Sequence, residues 1–236
     1  MSTRAAKIKK ILKATIRDMS RNSSQFTQSP GKDFTRKRKL DFTSVISVLL
    51  SMSGGSTASS LLDYFKFDPT TASTSAFVQQ RAKIKWEAME YLFQRFVNNV
   101  PAKGLFRGHR LLAVDGSALQ IFTDPTDKDS YYPGAEGKQP FSLLHLNALY
   151  DLENRVYVDA IVQKGRRKNE HKALTDMIDR SEILRAILLA DRGYEGYNNM
   201  AHLQEKGWKF LIRIKDGSHG ILSNSYPIAF WNILNQ

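Results

Sequence analysis

The sequence predicts an α/β protein, a mixed sheet flanked by helices and preceded by an all-helical region. Apolar residues recur at helical spacing throughout residues 1–100. After Pro101 the period changes to short apolar runs rich in Leu, Val, Ile and Tyr. The charge divides at the same place: residues 1–100 hold 17 Lys and Arg against 7 Asp and Glu, whereas residues 101–236 hold 18 against 16.

Taken in order, the front half opens with a helix over Ala5 to Met19, where Ile8, Ile11, Leu12, Ile16 and Met19 share one face and lysines the other. Its apolar face lacks Trp and Phe, so docking on protein or DNA is favoured over a membrane surface. RNSSQFTQSPGKD reads as a loop. Helical patterns return at Phe42 to Met52 and Thr57 to Phe67. Ser and Thr after Asp68-Pro69 then cap a further helix that carries Phe77, Ile84, Met89, Leu92, Phe93 and Phe96 inward. This pair of helices fits a helix-turn-helix reader with Gln79, Gln80, Arg81, Lys83 and Lys85 facing outward; it fits an ordinary helical hairpin with a solvated basic face equally well.

In the back half RLLAVDGSAL, FSLLHLNALYDL, RVYVDAIVQKG, ILRAILLADRGY and WKFLIRIKD each hold a strand. NEHKALTDMIDRS and EGYNNMAHLQEKG between the later ones are helical, with Asn169 and Asn198 as caps and Gly207 as a stop. The order β-β-β-α-β-α-β makes a meander extended by parallel strands.

Composition narrows the function classes. The net charge of +12 favours a polyanion partner, and Arg36, Lys37, Arg38 and Lys39 form the densest basic run. There is no cysteine, which excludes disulfides, thiolate zinc sites and a cysteine nucleophile and favours the cytoplasm. No apolar run reaches the roughly 18 residues of a membrane span, and no secretory h-region opens the chain. Neither GxxxxGK[ST] nor GxSxG occurs, and the five histidines lack zinc-like spacing.

Two aspartates share one local pattern. Asp115 and Asp191 each follow an apolar strand and each precede a glycine within two residues. Carboxyl ends of parallel strands are where α/β sheets bind ligands. If the first and fourth strands are neighbours the carboxylates converge, and a hard divalent cation resolves their repulsion. The alternative is that each caps the turn leaving its strand.

AVDGSAL, HLNALYDLENRVYVDAIVQ and ADRGYEGYNNMAHLQEKGWKFLIRIKD resemble the DDE transposases of bacterial insertion sequences, in the group numbered four, and FTRKRKLDFTSVISVLLSMS with STSAFVQQRAKI resembles that group's helical front. The resemblance implies an RNase H-like catalytic domain over 101–236 and a basic, DNA-binding region over 1–100. It implies that Asp115 and Asp191 are the first two acids of a catalytic triad, binding Mg²⁺ or Mn²⁺ for phosphoryl transfer. The implied partner is double-stranded DNA at the element's terminal inverted repeats, with Arg36, Lys37, Arg38, Lys39, Gln79, Arg81, Lys83 and Lys85 contacting it in the front half and a homodimer as the assembly. Arg192 and Tyr194 are placed to hold phosphates or an unpaired base, or else serve as a surface cation and a packing aromatic.

One feature departs from the family. Its third acid, a glutamate in a Tyr, Arg, Glu, Lys pattern, has no counterpart in the tail SHGILSNSYPIAFWNILNQ. Glu170, Glu182, Glu195 and Glu205 precede the fifth strand and read as surface or capping charges; Glu195, just past Asp191, is the first candidate to substitute. The expectation is an amino-terminal piece with an incomplete site, either a transposase or a DNA-binding remnant that occupies element ends. An RNase H-like nuclease unrelated to transposition is a third reading.

Overall fold

Side-chain caps set where the helices begin. In the computed structural model, which describes residues 3–215, Thr3 caps α1 (Arg4–Arg21) and Asp41 caps α2 (Phe42–Ser51). Ser56 caps α3 (Thr57–Tyr64) and Ser73 caps α4 (Thr74–Arg81). Each accepts a hydrogen bond from an otherwise unpaired amide of the first turn, worth about 1 kcal/mol. The acid-free tail from Ser218 onward lies outside the described residues.

The chain separates into two units, Met1–Pro101 and Ala102–Gln236. In the first, Ile16 and Met19 of α1 pack with Phe26, Phe42, Ile46 and, from α5 (Glu87–Asn99), Ala88 and Leu92. A second cluster joins Leu40, Val45, Val48, Leu61 and Phe77. The apolar stripe of α1 is therefore spent on protein.

The helix expected to run unbroken through Ile84 is two helices. Gln28 N donates to Lys83 O at 2.8 Å and Lys85 N donates to Phe26 O at 2.9 Å, forming an antiparallel bridge between Thr27 and Ile84. Those strand-like bonds replace the i→i−4 helical bonds at 83–85. The break leaves Gln80 in the wall of the fold, only 9% exposed, so its expected outward position is corrected.

The second unit is a six-stranded mixed sheet. Its strands are β1 (Arg110–Ile121), β2 (Tyr131–Tyr132), β3 (Phe141–Asp151), β4 (Val156–Lys164), β5 (Ala186–Ala190) and β6 (Lys209–Ile212). β3 pairs antiparallel with β1, β2 and β4, β1 pairs parallel with β5, and β5 pairs parallel with β6. The two-residue β2 is the one strand that the apolar runs do not announce. Helices α6 (Glu170–Arg180) and α7 (Tyr197–Glu205) make the crossovers. Asn169 caps α6 through Lys172 N, whereas Gly196 rather than Asn198 precedes α7. Gly207 ends α7 at φ +72°, the left-handed conformation that glycine adopts without strain.

One face of the sheet carries the core. Leu112, Val114, Leu149, Ala186 and Leu188 are buried, as are Ala173, Leu174, Met177 and Ile178 of α6 and Leu203 of α7. On the opposite face Leu119, Tyr157, Val162 and Leu211 remain exposed. The corner where β1 begins and β3 ends is held by Asp151, fully buried, which takes Arg110 Nε, Asn154 N and Asn154 Nδ2. Asn154 Oδ1 in turn accepts from Lys103 N and Gly104 N. Among the described residues no helix is long and apolar enough to cross a membrane.

Candidate active site

β1 carries Asp115 at its middle rather than at its carboxyl end. The antiparallel ladder with β3 continues to Ile121, while the parallel pairing with β5 stops at Ala113↔Leu189. Two more residues of that register set Asp115 level with Asp191, and the backbone at Asp191 is still extended at φ −78°, ψ 179°. Asp191 itself lies one residue past β5, where it caps the short 3-10 turn Arg192–Tyr194. Period-two alternation from buried Leu112, Val114 and Leu188 puts both on the face opposite the helices.

Each aspartate is oriented by its own backbone. Asp115 Oδ1 accepts from Gly116 N and Asp191 Oδ1 accepts from Gly193 N, both at 2.8 Å. Among the described residues no basic side chain is ion-paired with either. Beside Asp115 lies a cavity of about 460 Å³ lined by Ala113, Ser117, Ala148, Tyr150, Arg155 and Tyr157. The Tyr150 and Tyr157 rings meet edge to face at 5.0 Å.

Sequence reasoning missed the polar floor beneath the pair. His145, 4% exposed, brings Nε2 to 3.0 Å from Glu170 Oε1, without the alignment of a hydrogen bond. Both press on Gly116, where a Cβ would stand 2.6 Å from His145 Nε2 and 3.2 Å from Glu170 Oε1. Close approach, not a turn, is the reason for glycine here. Nothing in HLNALYD marks His145, because its role depends on a strand partner and a crossover helix.

Tyr194 belongs to the same floor. It is 2% exposed and its hydroxyl has no hydrogen-bond partner. Burial first, then the carboxylates of Glu170, Asp115 and Asp191, push its phenol pKa far above the ordinary value. Asn199 Nδ2 holds its loop by donating to Tyr194 O at 2.8 Å. Tyr194 thus packs as a buried aromatic, while Arg192 is exposed.

Glu195, the first candidate to replace a third acid, accepts from Lys215 N at 2.8 Å through Oε2. Among the described residues no three His, Asp or Glu side chains stand where they could hold one ion. The hard oxygens of Asp115 and Asp191 fit part of the shell of an oxygen-seeking divalent cation.

Among the basic residues of the front half, Arg36, Arg38 and Lys83 share the lining of one cleft with Lys32. Arg36, Lys37, Arg38, Gln79 and Arg81 are exposed. Lys39 Nζ is committed to Asp68 Oδ1 at 3.2 Å and Thr70 O at 2.8 Å, and lies 5.5 Å from the Phe65 ring centroid. Lys83 Nζ donates to Gln80 Oε1 at 3.2 Å, and Lys85 is half-buried.

The second unit is thus an α/β domain, a six-stranded mixed sheet flanked by helices. Residues 106–223 match the family described as "Transposase DDE domain", and the chain belongs to that family. Among solved structures it is similar to the "Drosophila P element transposase strand transfer complex", at 9% identity and a TM-score of 0.38. That match covers 77% of this chain and 42% of the other, so this chain spans less than half of that relative. No curated protein matches it.

Proposed function

We propose that the chain is a DNA transposase of an insertion sequence in group four, performing metal-dependent strand cleavage and joining at element ends in the cytoplasm. The observation that supports this reading is the parallel pairing of β1 with β5, whose ladder runs to Ala113↔Leu189, two residues short of Asp115 on one strand and of Asp191 past the end of the other. These two residues would hold Mg²⁺ or Mn²⁺, which supplies Lewis-acid polarisation of the phosphate and a more acidic attacking hydroxyl. The chain's own residues do the rest. Gly116 N and Gly193 N orient the carboxylates. Tyr194, kept neutral by its surroundings, fills the floor and excludes water beneath them. In the front unit Arg36, Lys37, Arg38, Gln79, Arg81, Lys83 and Lys85 contact the duplex, and a dimer pairs the two element ends.

A second reading is a DNA-binding remnant that occupies element ends. The absence, among the described residues, of a third metal-binding side chain favours it. Supercoiled plasmid carrying the element ends, incubated with the chain and Mn²⁺, separates the two. Nicks that leave 3′-hydroxyls at the tips and vanish in Asp191→Ala support the enzyme, whereas binding without nicking supports the remnant. Thermal melts add a measurement independent of cleavage: Mg²⁺ or Mn²⁺ should raise the melting temperature of the parent and leave the Asp115→Ala, Asp191→Ala double variant unmoved. Equal stabilisation of both proteins would place the ion elsewhere and overturn the reading.

A further inference from the structure

The cavity beside Asp115 is shaped by side-chain size. Cross-strand pairing sets Asp115 opposite Ala148 and Ala113 opposite Tyr150, and sets Tyr150 in turn opposite Tyr157. These side chains line the cavity from one face of the sheet, so the two alanines make a low floor between a carboxylate wall and an aromatic wall. Neighbouring strands lie about 4.8 Å apart, which puts the strand of Tyr157 about 10 Å from that of Asp115. A nucleotide spans that interval from its phosphate to the edge of its base. Tyr157 keeps 55% of its surface exposed, leaving its ring open to stacking. The volume of about 460 Å³ suits one small group in a side-chain pocket, not a base pair held within a duplex.

Arg155 lines the same cavity and is held where an arginine is costly. Its φ of +55° is the left-handed conformation that glycine adopts freely and a residue with a Cβ does not. Asp151 fixes the turn, its carbonyl accepting from Arg155 N at 2.8 Å and its Oδ1 accepting from Asn154 N at 2.7 Å. Among the described residues the Arg155 guanidinium has no ion-pair partner. Glycine would fit this turn with less strain, so an arginine there points to a use for the side chain. A guanidinium sharing a cavity with two tyrosine rings suits a phosphate that adjoins a stacked base.

We propose that this cavity takes one unpaired nucleobase of the strand whose phosphodiester reacts at Asp115, with the base on Tyr157 and the neighbouring phosphate on Arg155. That seat rests on the reading that the chain acts on DNA, and it names the form of DNA the site accepts, a locally unpaired strand. Stacking accepts every base, so the cavity selects for unpairing and not for sequence.

The test uses the full chain with its alanine methyl groups labelled with carbon-13. It is titrated by NMR in Mg²⁺ with a deoxyadenosine trinucleotide and with the same trinucleotide lacking its middle base. The Ala113 and Ala148 methyls should shift under the ring current of the seated base, and the base should be worth roughly 5-fold to 150-fold in affinity. Tyr157→Leu keeps an apolar side chain and should lose most of that preference. Arg155→Gly should melt no lower than the parent, because the strained turn is relieved, and should bind both trinucleotides more weakly. Methyls that ignore the trinucleotide, equal affinity of the parent for the two ligands, or an Arg155→Gly protein that binds like the parent would overturn the inference. Nicking of the plasmid by a parent that fails in this way would leave the proposed function standing, whereas a parent that neither nicks nor binds the trinucleotide would overturn both.

Discussion

Gly116→Ala tests whether the floor beneath the carboxylates is as tight as described. The added Cβ would meet His145 Nε2 at 2.6 Å and Glu170 Oε1 at 3.2 Å. Glu170 can swing toward solvent, but the His145 ring is 4% exposed and has nowhere to retreat. Overpacking of this kind costs about 1–3 kcal/mol. Alanine returns about 0.5–1 kcal/mol of the backbone entropy that glycine loses in a strand. The net loss is about 1–2 kcal/mol, a fall of roughly 2–8 °C in melting temperature. Circular dichroism melts of the parent, Gly116→Ala, His145→Ala and the double variant measure it. In the double variant the two losses should fall short of their sum by at least about 0.5 kcal/mol, because removing the ring removes the collision. Strict additivity, or a Gly116→Ala protein that melts with the parent, would refute the packing argument.

Three further outcomes follow from the same geometry. Asp151→Ala strips a fully buried carboxylate from Arg110 and Asn154 and should destabilise the second unit by about 3–5 kcal/mol, read by chemical denaturation; a loss under about 1 kcal/mol would contradict it. Asp68 should titrate at about 2 by side-chain NMR, held down first by the Thr70 hydroxyl, next by Thr70 N and then by Lys39. Since its folded pKa lies below the ordinary 3.8, the stability it lends is complete above that value and disappears as pH falls through about 2. Thr70→Val should therefore raise the midpoint more than Lys39→Met does, and the reverse order would be a failure. Tyr194→Phe removes a hydroxyl that has no partner, so its stability should stay within about 1 kcal/mol of the parent, whereas a loss of 3 kcal/mol would reveal a hidden hydrogen bond.

What the sequence made legible was local. Ser73 and Asn169 announce helix starts because capping needs only a side chain and an amide two or three residues on. Asp115 and Asp191 stand out because each interrupts an apolar strand. What stayed hidden depends on distant pairing. The break between α4 and α5 comes from a bridge to Thr27. Asp115 falls in mid-strand because β3 keeps pairing beyond it. The burial of Gln80 and Tyr194, and the meeting of His145 with Glu170 over Gly116, require elements that the chain brings together only after folding.

The parallel pairing of β1 with β5 has a kinetic consequence. The β1, β3 and β4 meander forms through connections spanning residues 122–140 and 152–155, whereas pairing Ala113 with Leu189 closes a loop of roughly 75 residues. Contacts of such separation slow folding, and the entropy of closure is lost before they repay it. The carboxylate pair is thus among the last features to assemble, and a chain that has made its hairpins but not its crossovers holds one aspartate alone. An ion that requires both would act late, slowing the departure of β5 and β6 more than it hastens their arrival.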